Sequence, residues 1–302
     1  MEPRKPPTLE KTLELVSKMA GTRKREPKVR NPDEPVQLAF WPDDVLAMPN
    51  ALARSAIFAV IRRGNRRMLQ DEQIMSRKDG FVTGKGLQLD QADGDLWLHL
   101  TRFARKAPLG SKIHINRHEL LRMIDPEVKV GASQYTWLAD SIARLQEASF
   151  RIETKKYRAG LSLISSYLFD KETNEYWIVI DPEAAKLFSE SMFGWIDLDK
   201  RRKLGHNDLA KWLQSYICSH ESGHEHTINI ELLHAWCGVS GRLRSFRTAM
   251  GKAIALLEKV EIINNAKLRE DGKVTWFRPR EDRLTSRAPL LMLEADTRIE
   301  SV

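Results

Sequence analysis

The stretch Ile142-Ala143-Arg144-Leu145 returns 112 residues later in the chain as Ile254-Ala255-Leu256-Leu257. Upstream of it, Glu119-Leu120-Leu121 returns at the same shift as Glu231-Leu232-Leu233. A shift that stays constant over this distance indicates two copies of one supersecondary unit within a single chain.

Each copy is predicted to contain a short strand, a short helix, a turn, a longer helix and then further strands. In the first copy the strand covers Lys112–Asn116, the short helix His118–Ile124, and the longer helix runs from an N-cap at Ser133 to about Ala148. The strands Phe150–Thr154, Leu161–Phe169 and Glu175–Ile180 are expected to form its wing and sheet. This order is that of a winged helix–turn–helix, so we expect an α+β fold with two tandem winged helix–turn–helix domains.

The predicted domain limits follow from proline content and apolar density. Residues 1–45 are expected to form a flexible arm, because prolines at 27, 32 and 35 oppose regular structure. Residues 46–180 form the first winged-helix domain, which opens with a helix over Leu52–Val60. Asp181-Pro182 has the residue types that start a helix, and it begins the second domain, 181–280. Residues 281–302 are expected to be a loosely ordered tail.

Composition places the chain among cytoplasmic proteins without excluding many functions. The sequence has 302 residues, 42% of them hydrophobic, and contains no run of 18 apolar residues that could cross a membrane. Its two cysteines argue against a disulfide framework and for a reducing compartment. The net charge of +8 is weak evidence for DNA binding, because residues 1–30 alone contribute +5.

Local charge is more informative than the total. Residues 241–273 contain eight Lys or Arg against four Asp or Glu, and many of the basic side chains fall on the outward face of the longer helix in the second copy. In a helix–turn–helix, the N-terminal residues of this helix reach base edges in the major groove. The alternative is that these charges only solvate a surface helix. We expect DNA contacts from Arg242, Arg244, Ser245, Arg247, Thr248, Lys252 and Lys273.

The first copy has a nearly neutral longer helix. Its expected DNA contacts are therefore fewer on the helix, at Lys129, Ser133 and Thr136, and are supplemented by a basic wing at Lys155, Lys156 and Arg158. The second copy is predicted to dominate both affinity and base reading.

A short apolar segment in the arm suggests a protein partner. Gln37-Leu38-Ala39-Phe40-Trp41 resembles the peptides that dock into the bacterial sliding clamp, with Gln37, Leu38, Phe40 and Trp41 as the contacting residues. The alternative is that Phe40 and Trp41 pack on the first domain.

Enzymatic motifs are weak. Cys218, His220, His224, His226, His234 and Cys237 fall close together, but their spacing matches no standard zinc pattern. A metal-dependent nuclease or nickase stays an alternative that would require bound metal. We expect no catalytic centre, no metal and no cofactor.

In combination, four stretches resemble the TrfA family of plasmid replication initiators. They are Pro35–Trp41, Leu52–Phe58, Gly86–Trp97 and Asn229–Leu233, and the likeness extends from about residue 35 to residue 280. The resemblance implies binding to direct repeats (iterons) at a plasmid origin and opening of an adjacent AT-rich region. It also implies contacts with the host helicase, the host initiator and the sliding clamp, and a homodimer in equilibrium with monomer. A transcriptional repressor built from the same two modules is the alternative.

Overall fold

The computed structural model describes residues 42–61, 63–77, 80–106, 110–154, 158–188 and 193–280. Its strands are β1 (Val45–Pro49), β2 (Phe58–Ala59), β3 (Met68–Arg77), β4 (Gly80–Leu87), β5 (Leu89–Asp90), β6 (Ile113–Asn116), β7 (Ser149–Thr154), β8 (Arg158–Ser162), β9 (Ile164–Asp170), β10 (Glu175–Ile180), β11 (Phe193–Asp197), β12 (Glu225–Asn229), β13 (Asn264–Leu268) and β14 (Lys273–Phe277). Its helices are α1 (Asn50–Ala53), α2 (Gln91–Ala104), α3 (Arg117–Ile124), α4 (Ala132–Glu147), α5 (Pro182–Lys186), α6 (Leu198–Lys203), α7 (Asp208–Cys218), α8 (Ile230–Trp236) and α9 (Leu243–Lys259). The predicted mixture of α and β structure is confirmed.

The sequence repeat corresponds to a repeat in structure. The first repeat consists of α2, β6, α3, α4, β9 and β10, and the second of α7, β12, α8, α9, β13 and β14. Each contains a three-stranded antiparallel sheet, in the order β6-β10-β9 and β12-β14-β13. In both sheets the final strand lies in the middle.

Equivalent polar residues begin the short helices of the two repeats. Asn116 caps α3 by accepting from the backbone N–H of His118 at 2.9 Å, and Asn229 caps α8 by accepting from that of Glu231 at 2.9 Å. An asparagine at this position satisfies backbone donors that have no partner within the helix. The same capping residue therefore starts the helix–turn–helix in both copies.

The apolar stripe of the longer helices is also duplicated. Leu138, Ile142 and Leu145 of α4 are fully buried, and their counterparts in α9, Met250, Ile254 and Leu257, are buried as well. Residues spaced three and four apart share one helix face, so each helix presents a continuous apolar surface to its sheet. This confirms the core positions expected from the 112-residue shift.

The chain contains an additional sheet besides those of the two repeats. β7 and β8 do not join the sheet of the first repeat; they complete a four-stranded antiparallel sheet, β3-β4-β7-β8. The segment expected to be one strand, Leu161–Phe169, is divided between β8 and β9. The hairpin equivalent to β13–β14 is therefore β9–β10, because β10 pairs with β6 as β14 pairs with β12.

The helix expected over Leu52–Val60 was wrong. Helix α1 ends at Ala53, and the following chain is extended, with β2 pairing in parallel with β5. The backbone carbonyls of this segment accept hydrogen bonds from distant side chains and not from a helix. Trp212 Nε1 donates to the carbonyl of Ser55 at 3.0 Å, and Gln91 Nε2 donates to that of Phe58 at 2.5 Å. Tertiary hydrogen bonds override the local helical pattern here.

Two hydrophobic cores lie in sequence order. The first contains buried residues from Val45 to Leu198, and the second contains buried residues from Leu204 to Trp276. Strand β11 pairs with β1, so residues 193–197 pack with the first core although they follow residue 180. The domain limits drawn from the sequence stay a prediction. Within the described ranges, every helix is too short or insufficiently apolar to cross a bilayer.

Candidate nucleic-acid interface

The exposed face of α9 is basic and polar. Phe246, Met250 and Ala253 are buried against the second core, which directs Arg244, Ser245, Thr248 and Lys252 to solvent together with the N-cap residue Arg242. The N-cap side chain makes no capping hydrogen bond. The first turn of this helix thus combines exposed backbone N–H groups, the positive end of the helix dipole and arginine side chains, which together favour a polyanion.

The turn before α9 is held by a histidine. His234 Nε2 donates to the carbonyl of Gly241 at 2.7 Å, and its ring meets Phe246 edge-on at a centroid distance of 5.0 Å. Gly238 in the same turn has a φ of +73°, a conformation that favours glycine. His234 was considered from sequence only as a metal ligand, whereas here it orients α9 relative to α8.

The β13–β14 hairpin is joined to α9 through Arg247. Its Nη2 donates to the carbonyl of Arg269 at 3.1 Å, so Arg247 lies between the helix and the hairpin and is half-buried. Lys267, Arg269 and Lys273 are exposed on this hairpin. We define the basic face as the following seven exposed or half-buried cations on or next to α9 and its hairpin: Arg242, Arg244, Arg247, Lys252, Lys267, Arg269 and Lys273.

Two acidic residues, Glu270 and Asp271, lie on the hairpin turn within the basic face. Asp271 Oδ2 is 3.1 Å from Arg269 Nη2 and 3.8 Å from Lys273 Nζ, and all three side chains are about half exposed. Lys267 and Arg269 were not among the contacts expected from sequence, although they belong to the same charged stretch. They belong to the basic face because this stretch pairs into a hairpin beside α9.

The first repeat presents a less charged surface. Lys129, Ser133 and Thr136 are exposed at the start of α4, as expected. Thr136 Oγ1 donates to the carbonyl of Ala132 at 3.0 Å, and Thr248 makes the equivalent bond to Arg244 at 3.4 Å. The expected N-cap at Ser133 was wrong: Gly131 occupies that position, and Ser133 Oγ donates instead to Gln134 Oε1 at 2.9 Å.

Arg144 of α4 binds a buried carboxylate and does not join this exposed surface. Its Nη2 lies 2.8 Å from Asp93 Oδ1, and Ser141 Oγ donates to the same oxygen at 2.5 Å. Asp93 is fully buried, and its Oδ2 also lies 3.0 Å from Arg66 Nη2. Burial on its own would raise the pKa of Asp93, but its hydrogen bonds to Arg144 and Ser141 and the positive charge nearby lower it. Arg144 thus attaches α4 to the interior.

The hairpin beside α4 is acidic. β9–β10 carries Asp170, Glu172 and Glu175 against Lys171, whereas the equivalent hairpin of the second repeat carries Lys267, Arg269 and Lys273 against Glu270 and Asp271. Arg158, which was expected on the wing of the first repeat together with Lys155 and Lys156, lies on β8 of the four-stranded sheet and not on the β9–β10 hairpin.

Of the three cations predicted for the wing, the structure describes Arg158 alone. Arg158 is exposed on β8 and is paired with Glu153, at 2.8 Å from Nε to Oε2. Its hydrogen bond lowers the pKa of Glu153. Lys155 and Lys156 lie outside the described residues, as does the clamp-like segment Gln37–Trp41. Their roles stay predictions.

The two repeats are connected by a buried ionic cluster. Asp95 of α2 lies 2.7 Å from Arg201 Nε of α6 and 2.7 Å from Lys211 Nζ of α7. Burial on its own would raise the pKa of Asp95, but the charges of Arg201 and Lys211 and their hydrogen bonds lower it to about 2. A carboxylate of the first repeat thereby holds the first helix of the second repeat.

The extended segment after α1 makes a second connection. Arg54 Nε donates to Ser219 Oγ at 2.8 Å, and the backbone N–H of Val60 donates to the carbonyl of Cys237 at 2.8 Å. A Cβ on Gly238 would lie 2.9 Å from the methyl groups of Ala56 and Ala59, so the turn of the second helix–turn–helix packs directly on this segment. These long-range contacts have no local sequence signature.

Two histidines of the Cys/His-rich region pack in an aromatic cluster. His220 and His226 face each other at a ring-centroid distance of 4.6 Å, and both rings pack on Tyr216. Cys237 is fully buried in α8's C-terminal turn. Among the described residues, no three His, Cys, Asp or Glu side chains are arranged to hold a metal ion.

A family model described as TrfA protein matches residues 32–275. The chain belongs to the TrfA family. The matched range includes both repeats, the segment that bridges them and the Gln37–Trp41 stretch. Membership in the TrfA family agrees with the resemblance noted from Leu52–Phe58 and Gly86–Trp97, which in the structure contain the bridging contacts and the buried aspartates.

Comparison with individual proteins supports the same relationship. The plasmid replication initiator protein TrfA of Escherichia coli is 28% identical over 243 residues, which is 78% of this chain and 62% of the relative. The chain therefore spans less than two thirds of that relative's length. A crystal structure of domains 2 and 3 of RctB has a TM-score of 0.56 at 13% identity, covering 77% of this chain and 99% of that one. At this identity the likeness concerns the fold alone.

Proposed function

We propose that this protein is a plasmid replication initiator that binds direct repeats in origin DNA through two winged-helix domains. The basic face of the second repeat carries the proposal. An α-helix with outward Arg, Lys, Ser and Thr side chains fits the major groove, and a basic hairpin beside it fits the adjacent phosphates. Family membership and the 28% identical initiator from Escherichia coli support the same function.

The two repeats contribute unequally in this proposal. Helix α9 reads bases, and its hairpin supplies phosphate contacts. Helix α4 adds weaker contacts through Lys129, Ser133 and Thr136, and its acidic hairpin stays away from phosphates. The buried Asp95 cluster holds the second repeat against the first. A protein that contacts two successive major-groove segments about one helical turn apart requires its two recognition helices to keep a fixed relative position.

Further steps of initiation belong to the same proposal. Bound in the bacterial cytoplasm at its origin, the protein assists opening of an AT-rich region and recruits the host helicase together with the host initiator. Gln37, Leu38, Phe40 and Trp41 engage the sliding clamp, because an extended peptide with apolar anchors and one amide suits a hydrophobic pocket.

Binding of the purified full chain to the DNA that flanks its own gene tests the proposal. Protected direct repeats beside an AT-rich segment are expected in footprinting. Arg244→Ala should weaken specific binding roughly 5- to 150-fold, the range for one base contact of ~1–3 kcal/mol. Lys273→Ala should weaken binding to all sequences and reduce the slope of log K against log salt by about one.

The matched control is Arg67→Ala. Arg67 is also an exposed arginine; it lies just before β3, pairs with Glu72 at 3.0 Å, and is far in sequence from the basic face. Its removal should leave DNA binding unchanged. Equal affinities of wild type, R244A and R67A for the specific site would refute the assignment of α9 to base reading. The absence of any protected repeat would refute the initiator function itself.

A further inference from the structure

An arginine of the first repeat lies where its longer helix meets its hairpin. Arg117, the first residue of α3, places its guanidinium carbon 3.9 Å from the ring centroid of Tyr135 on α4 and 5.3 Å from that of Phe169 on β9. All three residues are half-buried. Arginine stacks on aromatic rings because its positive charge meets the negative face of the ring. Arg117 is therefore held at the junction between α4 and the β9–β10 hairpin.

The matching position on the longer helix of the second repeat is an arginine. Thr136 and Thr248 each donate to the carbonyl four residues earlier, so α4 and α9 align at the shift of 112 residues. At this shift, Tyr135 of α4 corresponds to Arg247 of α9. The ring that holds Arg117 thus stands at the position of an arginine of the basic face.

The two hairpins align at the same junction. Each middle strand has one residue that pairs with the isoleucine before the capping asparagine. Opposite that residue, the outer strand has Phe169 in the first repeat and Leu268 in the second. Arg247 donates to the carbonyl of Arg269, the residue after Leu268, at 3.1 Å. Both repeats therefore place a guanidinium at this junction, but the first takes it from the short helix and the second from the longer helix.

The N–H donors of Arg117 can reach a ligand. Stacking uses the flat face of a guanidinium, whereas its N–H groups point outward in the plane. Among the described residues, no acceptor and no carboxylate pairs with this side chain. The carboxylates at the facing ends of β9 and β10 are engaged elsewhere: Glu175 Oε2 lies 2.6 Å from His114 Nε2, and Asp170 accepts from two backbone N–H groups of its own turn.

We propose that Arg117 binds a backbone phosphate of DNA and is the first repeat's counterpart of Arg247. The inference rests on the proposed function, since it adds a contact to the same interface. The planar guanidinium matches two phosphate oxygens, and its stacking on two rings fixes it at the border of the helix surface and not deep in a groove. The contacts expected beside α4 include a single cation, Lys129. Arg117 gives this surface the charge that its longer helix lacks.

The test is Arg117→Met, which keeps an unbranched side chain against the two rings and removes the charge and the donors. Circular dichroism and thermal unfolding of the full chain verify that the variant folds. Its binding to a duplex that carries the direct repeats is measured at several salt concentrations. R117M should raise Kd about tenfold at low salt and reduce the slope of log K against log salt by about 0.9, the contribution of one phosphate.

Arg122→Met is the matched control. Arg122 is an exposed arginine of the same helix, ~140° around the axis from Arg117, and its Nη1 donates to the carbonyl of Val128 at 3.3 Å. R122M should keep the wild-type salt slope. A wild-type slope in R117M, or equal losses of slope in R117M and R122M, would overturn the proposal.

Phosphate ethylation interference separates a contact from an effect on packing. Ethylation of each contacted phosphate should weaken binding of the wild-type chain. With R117M, one of these phosphates should no longer matter, whereas the others should interfere as before. A general loss of affinity with an unchanged interference pattern would mean that Arg117 acts through Tyr135 alone, which contradicts the assignment.

A double variant moves the guanidinium to the element that carries it in the second repeat. Tyr135→Arg in the R117M background puts an arginine on α4 where α9 has Arg247. The R117M/Y135R chain should regain the wild-type salt slope, and failure to regain it would contradict the equivalence of the two junctions.

Measuring the same slopes on a duplex of unrelated sequence separates this inference from the proposed function. A phosphate contact does not depend on sequence, so R117M should reduce the slope there as well. Absence of protected direct repeats would refute the initiator function, and the slopes on the unrelated duplex would still decide the role of Arg117.

Discussion

Replacing Asp95 with asparagine should destabilise the whole described fold. The change keeps the size of the side chain and removes the negative charge that lies within 3 Å of two cations, Arg201 and Lys211, which are themselves largely withdrawn from solvent. Their side chains are 3% and 16% exposed, so water cannot replace the lost carboxylate. The variant leaves two buried positive charges without their shared partner.

The magnitude follows from the geometry and the pKa. Removing one partner of a buried ion pair costs ~3–5 kcal/mol. The carboxylate's own contribution can be obtained separately: its pKa of about 2 in the folded protein lies about two units below the unfolded value. At ~1.36 kcal/mol per unit this amounts to roughly 2–3 kcal/mol. Because the folded pKa is depressed, this stability is fully present above about pH 4 and is lost as the pH falls toward 2.

Urea unfolding followed by circular dichroism is the assay. At pH 6, D95N should lose about 3 kcal/mol relative to wild type, and the difference should shrink between pH 4 and pH 2. Asp71→Asn is the matched control, because Asp71 pairs with Arg151 at 3.9 Å with both side chains more than half exposed. Such pairs contribute ~0–1 kcal/mol. If D95N and D71N were equally stable, or if the D95N difference did not change with pH, the reasoning would be refuted.

Two further outcomes concern close packing and cysteine chemistry. Gly194→Ala should destabilise the protein or alter the contact between β11 and α7, because the added Cβ would clash with the carbonyl oxygen of Cys218. Gly251→Ala should instead stabilise the protein by ~0.5–1 kcal/mol, because a Cβ at this position of α9 meets open space. Equal melting temperatures for the two variants would contradict this expectation. Burial raises the pKa of Cys237 to about 12, so a thiol reagent at pH 8 should leave it unmodified until urea is added, whereas rapid labelling of two thiols per native chain would be inconsistent with the structure.

Much of the secondary structure was predictable from the chain, for a physical reason. Helices α3, α4, α8 and α9 and strands β6 and β10 lie within a few residues of their predicted limits. They are amphipathic, and their periodicity reports directly which face is buried. The segment Leu52–Val60 was mispredicted because its backbone groups bond to Trp212 and Gln91, residues that are remote in sequence.

The candidate site was predictable in part. Exposure of Arg244, Ser245 and Lys252 follows from helical periodicity alone. The inward position of Arg144 does not, because it depends on a buried carboxylate, Asp93, brought there by α2. The aspartates at positions 90 and 93 form the capping box that begins helix α2, and no periodicity in the sequence indicates that these carboxylates are buried.

The duplication and the apolar core of each copy can be read from the sequence, because the same apolar spacing is required wherever a helix packs on a sheet. Tertiary structure alone decided what each copy presents to solvent. Pairing order assigned β9–β10, and not the segment after β7, as the hairpin beside α4. Strand pairing is set by contacts between distant residues, and local periodicity carries no information about them. The acidic hairpin of the first repeat and the basic hairpin of the second follow from that pairing.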